Sequence, residues 1–74
     1  MMHVPWGALY QVCADNGLTA RLHQHDSGQT VTISSGTKEL CRVSAEWGDP
    51  YTASDLAAQW LIDKNKLQPI AFEG

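Results

Sequence analysis

The chain has 74 residues, room for a single hydrophobic core, so any function is confined to the surface of one domain spanning 1–74. Hydrophobic side chains at 43% and charged ones at 18% are globular proportions and exclude a disordered or fibrous chain. A formal charge of −3 argues against a dedicated nucleic-acid binder, whose phosphate contacts need a cationic footprint, but leaves room for a local basic patch.

The start, Met1-Met2-His3-Val4-Pro5-Trp6, lacks the basic segment and apolar core of a signal peptide. No apolar run approaches the roughly 20 residues that span a bilayer. A cytoplasmic location without a membrane partner is therefore expected. Trp6, held between Pro5 and Gly7, is the aromatic residue expected to be most exposed.

The segment Ala8 to Ala14 is rich in strand formers, and Leu18 to His25 alternates apolar with polar residues. The two read as a hairpin. A three-residue loop, Asp15-Asn16-Gly17, with Gly17 in a left-handed bulge position, aligns Ala8, Tyr10, Val12 and Ala14 with Leu18, Ala20 and Leu22 on one face. A second hairpin is expected from Thr30 to Ser34 and Glu39 to Trp47, turning at Ser35-Gly36-Thr37. Its apolar face carries Val31, Ile33, Cys41, Val43, Ala45 and Trp47.

After Gly48-Asp49-Pro50 the period becomes helical. Thr52 is placed as N-cap and Asp55 in the first turn, where the helix dipole favours a negative charge. Ala53, Leu56, Ala57, Trp60 and Leu61 form one apolar stripe that ends near Asn65. Leu67 to Phe72 is expected to be a short edge strand, because Pro69 cannot donate to a ladder. The sum is a small two-layer α+β domain of order ββββα. Its antiparallel sheet has four to five strands, with one helix on one face and the other face open.

That open face is expected to carry Leu9, Gln11, Cys13, Thr19, Arg21, His23 and His25 from the first hairpin. The second adds Thr30, Thr32, Leu40, Arg42, Ser44 and Glu46, while Asp49, Asp55 and Asp63 fall mainly on the helix side. His23 and His25, two apart on a strand, point the same way and resemble half of a metal site. No spacing brings a third or fourth ligand to them, so a solvent-facing strand end is the favoured reading and neither metal nor cofactor is expected. Cys13, His23 and Asp26 are the right types for nucleophilic catalysis, yet the expected hairpin separates Cys13 from His23 by more than roughly 10 Å. With no phosphate loop or carboxylate dyad, no enzyme is expected. Cys13 and Cys41 form no CxxC and read as free, partly buried thiols. Trp60 and Tyr10 are assigned to the core, and burial is also favoured for Trp47 and Tyr51.

These features describe a non-catalytic protein-binding module that contacts a larger protein or complex. Arg21, His23, His25 and Arg42 would supply polar contacts, and Trp6 or Trp47 an aromatic anchor. In size and outline the chain resembles the small inhibitor and accessory proteins of phages and mobile elements, including anti-CRISPR proteins, which act by occluding a larger machine. No motif carries that resemblance, and no functional residue is transferred from it. The alternative is a small nucleic-acid-binding domain using the open sheet face. A homodimer through that face, or through the Leu67 to Phe72 edge, is the third reading.

Overall fold

A computed structural model describes residues 2–72. In chain order it contains helix α1 (Trp6–Asp15), strands β1 (Thr19–His25), β2 (Gly28–Ser35) and β3 (Lys38–Glu46), helix α2 (Ala53–Lys64) and a 3₁₀ turn, Pro69–Phe72. The strands form an antiparallel meander in the order β1-β2-β3. This is a small α+β domain, but with a three-stranded sheet and two helices, not the four- to five-stranded sheet and single helix expected from the sequence.

The difference lies in Ala8 to Ala14, which is helical. Leu9, Val12 and Cys13 recur at helical spacing and are all buried, whereas Tyr10, on the strand period, is 53% exposed. Asn16-Gly17 decides the matter. Gly17 has φ 72°, its N–H donates to Ala14 O at 3.2 Å, and the Leu18 N–H donates to Cys13 O at 2.8 Å. This is the Schellman pattern that closes a helix C-terminus. A left-handed glycine serves a helix stop and a hairpin bulge equally well, so the Asn-Gly pair marks the turn of the backbone without fixing the element before it.

Released from α1, the Leu18 to His25 segment pairs instead with β2. Its register places Arg21 opposite Thr32 and Leu22 opposite Val31. Gly28 begins β2 beneath β3: a Cβ built there would lie 2.0 Å from Ala45 O, so only glycine fits. In the second hairpin Val31 opposes Val43 and Ile33 opposes Cys41. Gly36, with φ 61°, occupies the first central position of the connecting turn, as a type II′ turn requires. Ile33 pairs with Cys41 but Ser34 with Glu39, so Leu40 is the extra residue of a β-bulge.

Both helices pack on the same side of the sheet. Leu9, Val12 and Cys13 from α1 and Ala53, Ala57, Ala58 and Leu61 from α2 join Ala20, Val31, Ile33, Cys41 and Ala45 in one buried cluster. Removing a fully buried aliphatic chain such as Leu9, Ile33 or Leu61 from water contributes about 1.5–3 kcal/mol. Leu9 and Cys13 therefore belong to the core and not to the open face. Trp60 is half-buried against this cluster, as are Trp6 and Leu56.

Helix α2 starts with a capping box. Thr52 Oγ1 accepts the Asp55 N–H at 3.1 Å, and Asp55 Oδ2 accepts the Thr52 N–H at 2.8 Å. Asp55 has a second role, since its other oxygen accepts the Val4 N–H and His3 Nδ1 lies 3.0 Å from Oδ2. Burial by itself pushes the Asp55 pKa up. The hydrogen bonds from Val4, Thr52 and His3 outweigh it and hold the carboxyl below its ordinary value.

The expected strand from Leu67 to Phe72 is instead the 3₁₀ turn that seats Phe72 in the core beside α1. Proline at its first position loses nothing, because that N–H has no partner within a helical turn. Lys66, just before it, adopts φ 60°, a left-handed backbone that glycine occupies more cheaply. No helix among the described residues is long and apolar enough to cross a membrane.

Candidate functional site

With both helices on one side, the opposite face of the sheet is uncovered. Antiparallel pairing arranges its residues in rows across the strands. Arg21, Thr32 and Arg42 make one row, and His23, Thr30 and Ser44 the next. At about 4.8 Å between neighbouring strands, the two arginines stand roughly 10 Å apart at Cα with the threonine hydroxyl between them. Arg42 is held by Glu39, whose Oε1 accepts from Nη2 at 2.7 Å. Among the described residues Arg21 enters no ion pair, so its guanidinium is the uncommitted charge on the face.

Toward the β1–β2 turn the face becomes a hydroxyl network. The His25 ring has Ser27 Oγ 3.2 Å from Nδ1 and Thr30 Oγ1 3.3 Å from Nε2. Thr30 Oγ1 lies in turn 2.9 Å from Ser44 Oγ. The His23 and His25 rings stack at a centroid separation of 5.8 Å. Both ring nitrogens thus face a hydroxyl, which can turn to donate or accept as the ring requires. What orients the ring is therefore a pair of hydroxyls, where a catalytic histidine is held by a carboxylate. Among the described residues no three His, Cys, Asp or Glu side chains converge as metal ligands.

An open depression of about 520 Å³ sits at this end of the face, lined by His25, Ser27, Ser44, Ala45, Glu46 and Asp49. Asp49 was expected on the helix side. Gly48, with φ 93°, turns the chain back so that Asp49 N–H donates to Glu46 O at 3.1 Å while Asp49 Oδ2 accepts the Glu46 N–H at 2.8 Å. The face thus has a cationic row at Arg21 and Arg42 and an acidic rim at Glu46 and Asp49, instead of one basic surface.

Of the residues singled out in the sequence, Arg21, His23, His25 and Arg42 share the uncovered face, and Trp47 stands at its end. Trp47 is 55% exposed, contrary to the burial favoured for it. It leaves the sheet just after β3, and its indole N–H donates to His25 O at 3.2 Å, fixing the ring across the β1–β2 turn. Tyr51 is half-buried, with its ring 5.5 Å from that of His3. Trp6 does not join the face. It opens α1 on the far side of the sheet, half-buried and 5.9 Å from Tyr10 between ring centroids. Cys13 is likewise enclosed, and burial raises its thiol pKa to about 11. Cys41 is raised as well, by burial and by the nearby Glu39.

Ser44 and Glu46 were expected on this face, whereas Ser27 and Asp49 were missed as parts of a site. The only local sign of Asp49 was its place after a glycine at a strand end, a pattern shared by ordinary turns. Comparison with protein-family models, curated proteins and solved structures finds no match to this chain.

Proposed function

We propose that the protein is a non-catalytic binding module that docks on a larger protein through its uncovered sheet face and acts by occlusion. The single observation that supports this reading is the cross-strand row Arg21-Thr32-Arg42, uncovered by either helix, with the exposed, backbone-anchored Trp47 just past the far end of β3. Arginine and tryptophan are the residue types most enriched where binding energy concentrates. A pinned indole and strand-borne arginines also lose little freedom on docking.

The mixed signs of the face favour a protein over a polyanion. Glu39 already neutralises Arg42, and Glu46 and Asp49 would repel phosphates at the other end. A partner surface with a carboxylate opposite Arg21 and a donor opposite Glu46 fits both ends. The reading places the protein in the cytoplasm, where its two free cysteines stay reduced.

The test compares Arg21→Glu and Trp47→Ala with a helix-side control, Tyr10→Ala, in quantitative co-purification from the native host. Stoichiometric capture of one protein, weakened at least tenfold by each face variant and unchanged by the control, is the expected result. Loss with the control alone would move the contact to the helical side and defeat the reading. Salt-sensitive binding to single-stranded oligonucleotides, abolished by Arg21→Glu, would replace it with the nucleic-acid alternative.

A further inference from the structure

We propose that two copies of this chain pair edge to edge through β3, antiparallel and centred on Ser44, to form one continuous six-stranded sheet. The contact uses the strand edge together with the Arg42 and Glu46 side chains, so it goes beyond the proposed function and requires neither Arg21 nor Trp47.

The sheet ends at β3, and among the described residues no strand pairs with its outer edge. The direction of its backbone groups follows from one hydrogen bond. Trp47 N–H donates to Ser27 O at 2.9 Å, so Trp47, Ala45 and Val43 turn their backbone groups toward β2. By alternation Glu46, Ser44 and Arg42 turn theirs outward. The bond from Glu46 N–H to Asp49 Oδ2, made outside the ladder, agrees with that direction. The edge therefore offers Ser44 and Arg42 as open donors and acceptors and Glu46 as an open acceptor.

A two-fold pairing that keeps outward side chains outward, with Ser44 opposite the second copy's Ser44, sets each Arg42 opposite the other copy's Glu46. Both cross-strand pairs have opposite charge, with each exposed Arg42 shared between its own Glu39 and the second copy's Glu46. The backbone follows the same register: Ser44 N–H meets the second copy's Ser44 O, and Arg42 N–H meets the second copy's Glu46 O, each reciprocated. The Glu46 N–H stays with the Asp49 carboxylate, so each Arg42 O lacks its ladder donor and the pairing rests on the bonds donated by Ser44 and Arg42. The bulge at Leu40 and the turn at Gly48 bound this ladder at its two ends.

The other edge does not complement itself. A two-fold pairing of β1 centred on Arg21, Leu22 or His23 sets Arg21 against a second Arg21, a His23 or a His25, with no carboxylate to answer it. Charge thus selects β3 over β1 for association of like with like.

Light scattering and sedimentation of the full chain over a range of concentrations test the proposal. A monomer that becomes a dimer, and no larger species, is expected. Arg42→Glu and Glu46→Arg each place like charges opposite one another and should weaken the dimer about tenfold, while the double variant R42E/E46R should recover it. Ser44→Pro removes the central edge donor from a position where strand proline is tolerated, so it should keep the native circular dichroism spectrum and be monomeric. If it unfolds, the charge-reversal cycle decides. A monomer at every concentration, a dimer indifferent to the single reversals, or one broken by Arg21→Glu would overturn the proposal.

Discussion

The backbone N–H of Val4 donates to the carboxylate of Asp55, buried at the start of α2 and fifty-one residues further along the chain. One side chain thereby caps a helix and ties down the chain's beginning. The same carboxylate takes the Thr52 N–H and faces His3, so its negative charge is balanced by donors and not by a buried cation.

Replacing Asp55 by alanine is expected to destabilise the protein by about 2–4 kcal/mol. A helix cap is worth about 1 kcal/mol, and the Val4 donor would be left buried without its charged acceptor. Urea denaturation at pH 7 measures this. The variant should also lose the order of residues 2–5, read by faster amide exchange at Val4.

The pH dependence of that stabilisation follows from the lowered Asp55 pKa. A carboxyl whose folded pKa lies below its unfolded value, about 3.9, contributes stability that is complete above that value. The contribution fades as the pH falls through the folded pKa. Wild type and Asp55→Asn should therefore differ most near neutrality and converge in acid, as urea midpoints from pH 7 down to about pH 2 will show. A difference that widened in acid would contradict the assignment.

Two glycines predict opposite outcomes. Gly28→Ala drives a methyl group into Ala45 O and must spread β2 from β3, with an expected cost above about 3 kcal/mol. Gly7 lies in the first turn of α1 with nothing near its missing Cβ, so Gly7→Ala should stabilise by about 0.5–1 kcal/mol. Parallel thermal melts compare the two.

Lys66→Gly relieves a left-handed backbone at the end of α2 and should raise stability by about 0.5–1 kcal/mol. For a domain of this size that corresponds to a rise of roughly 2–8 °C in Tm.

Neither thiol should react in the folded protein. Burial raises Cys13 to about 11, which leaves about one thiolate in a thousand at pH 8, and Cys41 is shifted the same way. A thiol-exchange reagent at pH 8 should titrate both cysteines in denaturant and neither within minutes under native conditions.

The central hairpin and α2 were legible because each obeys one period without competition. Val31 and Ile33 alternate with threonines over β2, and Thr52 with Asp55 announces a helix start. Ala8 to Ala14 was not legible. It is too short for either period to exclude the other, and its glycine stop suits both outcomes. In the candidate site, alternation along β1 and β3 suffices to put Arg21, His23, His25 and Arg42 on a common side. The exposure of Trp47 and the return of Asp49 to Glu46 depend on a turn at Gly48 whose direction no period encodes.

The chain by itself determined which side chains of each strand share a side and where α2 begins, because spacing along one backbone settles both. Only the tertiary structure decided that α1 is a helix, that Trp6 faces the core while Trp47 does not, and that Asp55 holds Val4. Those outcomes rest on contacts between residues distant in the chain, and their free energies exist only once the sheet and helices are packed together.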